Sequence, residues 1–182
     1  YPDHWPAPHY AFEHNAIDSL KRELGRALFY DPILSADSTV SCASCHSPYQ
    51  SFAHTDHKVS HGIGDQMGTR NAPVLINLAW QRQLMHDGAI AFFDFQPLAP
   101  ITHPKEMGED LRNVLMKLNR HPRYQRALFA IYQDSTMTSE RLLKCMSQFS
   151  KETTNENNQF SKWTRWIFNA ILDWTKLLRV LL

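Results

Sequence analysis

The chain has 182 residues, of which 43 % are hydrophobic, 12 % aromatic and 20 % charged; this excludes a disordered, collagenous or low-complexity polypeptide and allows a core of ordinary size. Nineteen Lys and Arg against 18 Asp and Glu leave a formal charge of +1, so no broad field exists to steer nucleic acid or an anionic membrane, and neither is expected as a partner. Three Cys cannot build a disulfide framework, and Cys42 and Cys45 sit three apart with His46 directly after them, a pattern that favours cofactor chemistry.

From Tyr1 to His14 the chain holds Pro2, Pro6 and Pro8 and no periodic apolar pattern, and residues 1–14 read as an extended arm. The first segment begins at Tyr rather than Met, and any export signal is expected to have been removed or not included. Ile17, Leu20, Leu24, Ala27 and Leu28 then recur at helical spacing, with Asn15 as a cap and Asp31-Pro32 as the stop. Ser35 to Ser41 reads as a turn into Cys42, and His46 to Arg70 as a long loop rich in His, Gly and Ser, of the kind that usually has a function. A weak helical pattern spans Ala72 to Leu84, followed by the Pro-punctuated stretch Pro97 to Pro104.

Three further helical faces follow: Leu111, Val114, Leu115 and Leu118; Tyr124, Leu128, Ile131 and Tyr132; and Leu142, Leu143, Met146 and Phe149. Nothing alternates like a strand, so the expected class is all-α, with one domain over 15–149. Residues 150–182 read as a polar linker and an amphipathic terminal helix whose apolar stripe runs from Trp163 to Leu181. Arg165, Asp173, Lys176 and Arg179 interrupt that stripe, and no membrane span is expected.

Cys42-Ala43-Ser44-Cys45-His46 is the attachment signature of c-type haem. On one helical turn both thiols face the same way, where they can form thioethers with the two vinyl groups, and the adjacent imidazole reaches the iron as proximal ligand. A zinc site would need two more ligands at suitable spacing, and the one remaining thiol, Cys145, lies on an apolar helical face and reads as a core residue. For the other side of the iron the loop offers His54, His57 and His61, with Met67 behind them. A fixed sixth ligand favours electron transfer, and an open or displaceable one permits chemistry with peroxide. On spacing alone Glu106 is a loop carboxylate ahead of a helix, and Arg70, Asp87 and Gln96 are ordinary surface groups.

Four ordered stretches, Leu24 to Ser35, Ser41 to His46, Gly68 to Pro73 and Pro97 to Gly108, closely resemble the bacterial di-haem cytochrome c peroxidases and the related methylamine-utilisation di-haem enzyme. The resemblance covers about Leu24 to Phe149 and corresponds to the N-terminal haem domain of those two-domain proteins. It implies reduction of hydrogen peroxide to water by a periplasmic enzyme that draws electrons from a small cytochrome c or cupredoxin. It implies one covalent haem c in this chain, bound by Cys42 and Cys45 and ligated by His46. His61 matches the distal His that leaves on activation, with His57 as the alternative, since the loop before Asn71 differs in length. Glu106 matches the acid–base carboxylate, Gln96 a distal amide, Pro100 a pocket-lining residue and Asn71 a calcium ligand. A homodimer is a further expectation.

Two departures stand out. Met85-His86-Asp87-Gly88-Ala89 replaces the family's Phe-Trp-Asp-Gly-Arg, which removes the aromatic bridge between the haems, and a second C-x-x-C-H is absent. The reading is therefore a truncated or frame-disrupted version whose terminal helix covers surface that a second domain would bury. A mono-haem electron carrier and an oxidase acting on another substrate are the alternative functions.

Overall fold

A computed structural model describes residues 5–151. The first four residues of the expected arm, most of the polar stretch after Ser150 and the helix expected from Trp163 to Leu181 lie outside them. The described residues form six α-helices: α1 (Ser19–Tyr30), α2 (Cys42–Cys45), α3 (Leu98–Thr102), α4 (Leu111–Arg120), α5 (Pro122–Tyr132) and α6 (Ser139–Lys151). Among them there is no strand, and no helix long and apolar enough to cross a membrane.

The all-α expectation holds, and α1, α4, α5 and α6 follow the apolar periodicity of the sequence. Helix α1 starts at Asp18, whose carboxylate accepts the Lys21 N–H at 2.9 Å and so satisfies one of the orphan donors of the first turn. It stops where the Asp31 carboxylate accepts the Ile33 N–H at 2.9 Å and Pro32 opens a short 3-10 turn, Pro32–Leu34. The cap expected at Asn15 is thus Asp18. Asn15 is instead buried, donating to the Lys144 carbonyl at 3.0 Å and accepting from Gln148 at 2.8 Å. Ile17 and Leu20, expected on the buried face, are exposed, because the helix turns Leu24, Gly25, Leu28 and Phe29 inward.

Helix α1 packs along α6 over a close approach at Gly25, where a Cβ would overlap the Cys145 carbonyl. Two apolar clusters result. One gathers Leu24, Leu28, Leu118, Leu128, Leu142 and Cys145 between α1, α4, α5 and α6; Cys145 is a core thiol, as its apolar face predicts. The other gathers Phe29, Phe52, Leu75, Leu78, Phe93 and Phe149 beneath the long loops. Cys42 packs against both.

Between the helices, residues 47–96 run as short 3-10 turns and three isolated antiparallel bridges, Ser47 with Ala53, His61 with Met67 and Leu84 with Ile90. The weak helix expected over Ala72 to Leu84 is only the 3-10 turn Leu78–Trp80. Pro73 lacks an N–H, and Asn77 holds a left-handed backbone at φ 56°; both break an α ladder.

Candidate functional site

Helix α2 is a single turn, and its reason is local: Ser41 and Ser44 form a reciprocal capping box, with the Ser41 N–H donating to Ser44 Oγ at 3.1 Å. That turn brings Cys42 and Cys45 to one side, and neither is in a disulfide. Burial pushes the Cys42 thiol up to about 12, with the neighbouring Cys45 adding to the shift, and burial also raises the Cys45 thiol. Both are protonated thiols at neutral pH.

His46 follows as the C-cap of this turn, with its backbone N–H on the Cys42 carbonyl at 2.9 Å. Its Nδ1 lies 2.8 Å from the Phe52 carbonyl. A carbonyl can only accept, so Nδ1 donates to Phe52, and the Pro73 carbonyl is a second backbone partner of the ring. Burial lowers the His46 pKa below its ordinary value, and the nearby His54 acts in the same direction. A neutral imidazole with Nδ1–H anchored to a backbone oxygen is the state a metal-ligating His requires. Phe29 lies beside the ring, centroids 6.4 Å apart. Two thiols on one turn and a neutral, anchored imidazole fit a covalently held haem.

His61 is brought to the same place by backbone contact. Cys45 Sγ donates to the His61 carbonyl at 3.6 Å, and the His61–Met67 bridge closes the loop behind it. Nδ1 of His61 sits 2.7 Å from Asp65 Oδ1, which fixes the ring through that nitrogen. His57 lies alongside with ring centroids 4.9 Å apart, and His54 Nε2 is 3.4 Å from His57 Nδ1. His54 and His57 pair with each other, whereas His61 is the member of the trio tied to Cys45.

Glu106 lies on the turn between α3 and α4. Its carbonyl accepts the Ile63 N–H at 2.8 Å, two residues from His61, and Gly62 presses so closely on Lys105 and Glu106 that a Cβ would overlap their backbones. The carboxylate is near enough to Cys45 to act on its thiol and is 3.6 Å from His103 Nδ1. That nitrogen already accepts the Lys105 N–H at 3.3 Å, so the Glu106 carboxylate stays free to accept. Cys45, His61 and Glu106, read separately from the sequence, therefore meet. The one sequence feature tied to their convergence is Gly62, whose missing side chain permits the approach.

The other candidates are placed at varying remove. Pro100 lies under the Glu106 turn, its carbonyl accepting the Met107 N–H at 3.2 Å. The Gln96 amide reaches Met85 Sδ at 3.9 Å. Asn71 donates to the His54 carbonyl at 2.8 Å, and its Oδ1 accepts the Ala72 N–H at 2.9 Å, so both ends of the side-chain amide are engaged within the chain. Among the described residues no group of three or more His, Cys, Asp or Glu is arranged to hold a metal ion. Arg70 and Asp87 face each other at 3.5 Å, both exposed.

Residues 19–168 match the model of the di-haem cytochrome c peroxidase family, beyond the Phe149 limit of the sequence motifs. The chain is 32 % identical to the cytochrome c peroxidase of Escherichia coli over 155 residues, 85 % of this chain and 33 % of that protein. It is 28 % identical to the methylamine utilization protein MauG of Methylophilus methylotrophus over 175 residues, 96 % of this chain and 51 % of that protein. Among solved structures it resembles a MauG-like protein associated with microbial copper homeostasis, with a TM-score of 0.77 and 25 % identity over 91 % of this chain and 49 % of that one. It also resembles the diheme peroxidase BthA of Burkholderia thailandensis, with a TM-score of 0.65 and 25 % identity over 76 % of this chain and 40 % of that one. The chain spans between a third and about half the length of these curated relatives.

Proposed function

Because the chain belongs to the di-haem cytochrome c peroxidase family, we propose that it takes part in the reduction of hydrogen peroxide to water, with electrons from a small cytochrome c or cupredoxin. What supports this reading is the packing of the Glu106 turn on the His61 loop at Gly62 and Ile63, with the His61 carbonyl receiving the Cys45 thiol and the His46 imidazole anchored on Phe52. Cys42 and Cys45 would hold the haem by thioethers and His46 Nε2 would ligate its iron. The haem, when bound, supplies the centre that exchanges electrons with peroxide. Each turnover takes two electrons and two protons and gives two waters.

The residues of this chain handle the protons. The free carboxylate of Glu106 accepts the proton of the nearer peroxide oxygen and returns it to the farther one, which then departs as water rather than hydroxide. Asp65 holds the His61 ring through Nδ1, so that Nε2 is directed for ligation and must withdraw before peroxide can enter. Gln96 and Pro100 would line the far side of the pocket. Calcium is given no step, because the Asn71 amide that would offer it an oxygen is engaged at both ends within the chain. Thioether attachment takes place outside the bacterial cytoplasm, which makes the periplasm the proposed compartment.

The test is peroxide-dependent oxidation of ferrocytochrome c by the haem-loaded protein. Turnover above that of a His46→Ala variant is the expected result. A haem spectrum indifferent to peroxide, with no turnover, would instead favour a mono-haem electron carrier. That second reading is motivated by His46 and His61, two imidazoles each held in place through Nδ1, which would suit bis-imidazole ligation. His61→Gly is expected to convert a low-spin ferric spectrum to high-spin; an unchanged spectrum would move the sixth ligand to His57 or His54.

A further inference from the structure

Lys117 is the group on which two segments far apart in the chain close. Its Nζ donates to the Ser35 carbonyl at 2.7 Å and lies 3.4 Å from the Ala36 carbonyl, 3.5 Å from the Ile33 carbonyl and 2.5 Å from Glu109 Oε2. Glu109 is buried, and its other oxygen accepts the Asp110 N–H at 2.9 Å and the Asn113 amide at 3.2 Å. The carbonyls belong to the turn that leads into Cys42, and Glu109 ends the turn that carries Glu106. One hydrogen bond joins those turns directly, from the Ala36 N–H to the Met107 carbonyl at 2.9 Å. A second fixes the Glu106 turn to α3, from the Glu109 N–H to the Ile101 carbonyl at 2.8 Å.

A buried ion pair is a poor source of stability, since desolvation offsets much of its attraction, and apolar side chains of similar volume often serve as well. What four oxygens around one ammonium do supply is direction: each contact fixes where its segment lies relative to the others. Here the segments so fixed are the approach to the haem attachment turn and the turn bearing the proposed acid–base group.

We propose that Lys117 and Glu109 are positioning residues for Glu106, setting the distance between its carboxylate and the Cys42–His46 attachment turn. This rests on the reading of Glu106 as the acid–base group. Neither residue touches the reacting atoms. Apolar spacing marks neither residue, because the partners of Lys117 lie about 80 residues upstream and eight residues away.

The experiment is a double-mutant cycle on the haem-loaded protein, reading the second-order rate at which peroxide changes the haem spectrum. Lys117→Met combined with Glu109→Leu removes both charges together and leaves neither buried alone. In the Glu106 background the pair should slow the reaction by about ten- to a hundredfold at unchanged haem content, the range expected for a misplaced catalytic group. In a Glu106→Gln background the same pair should change the rate by less than about twofold, since a group acting through Glu106 has nothing left to position. Equal slowing in both backgrounds, or none in either, overturns the proposal. Glu109→Gln keeps an acceptor for Lys117 and carries the same test should the apolar pair fail to fold. Glu106→Gln measured alone separates the two levels: if it leaves the rate unchanged, the reading of Glu106 itself has failed.

Discussion

Replacing Glu106 with Gln is expected to leave haem content and the resting spectrum intact and to slow peroxide reduction about a hundredfold or more, the scale of a lost general acid–base group. The substitution conserves volume and the backbone contacts of the turn, including the Ile63 N–H on the residue's own carbonyl. What it removes is the ability to take a proton at one oxygen and release it to another. The His103 ring 3.6 Å away cannot replace it, because Nδ1 already accepts from Lys105. Stopped-flow mixing of haem-loaded protein with peroxide measures the effect, and a rate equal to that of the unsubstituted protein would take Glu106 out of the mechanism.

Gly25→Ala is expected to destabilise the fold by about 3 kcal/mol or more, at the upper end of what overpacking produces. At an exposed helical site the same change would add up to about 1 kcal/mol through helix propensity. Here the steric term decides the sign. The new methyl would overlap the Cys145 carbonyl and its carbon, which are backbone atoms of α6 with no rotamer to escape through. Helices α1 and α6 would have to separate along the contact that joins both apolar clusters. Urea unfolding of the haem-loaded protein reads the loss, and an unchanged midpoint would show that the two helices can part without loss of packing. Against a typical domain stability of about 5–15 kcal/mol, such a loss would also lower the yield of folded protein.

What could be read from the sequence was what is local. Helices α1, α4, α5 and α6 follow from apolar spacing, and the Cys42 to His46 turn follows from its own five residues and the capping pair Ser41 and Ser44. The resemblance then supplied Glu106 and His61 as candidates. The rest depends on contacts between segments far apart in the chain, which periodicity does not encode. Asn15 looks like a cap because of its type and place, yet its partners are Lys144 and Gln148 on α6, and Asp18 caps the helix. Residues 72–84 contain enough apolar side chains for a helix, but Pro73 and the left-handed Asn77 divert them into the cluster around Phe29. The seam at Gly62, where the His61 loop meets the Glu106 turn, has no local signature beyond a glycine in a loop that already holds Gly64 and Gly68.

Cys42 has a bearing on how the protein is made. Its side chain wedges between the two apolar clusters, and its thiol is held in the protonated form. Thioether formation calls for a sulfur that an attaching enzyme can reach and that can give up its proton. An unfolded chain meets both conditions more fully than the packed one, where Cys42 is half-buried against the two clusters. For the haem proposed here, attachment before core closure is the favoured order, and a chain that folds early is expected to mature less completely. Substitutions that speed collapse around α1 and α6 would stabilise the polypeptide while lowering the fraction that ever receives its cofactor.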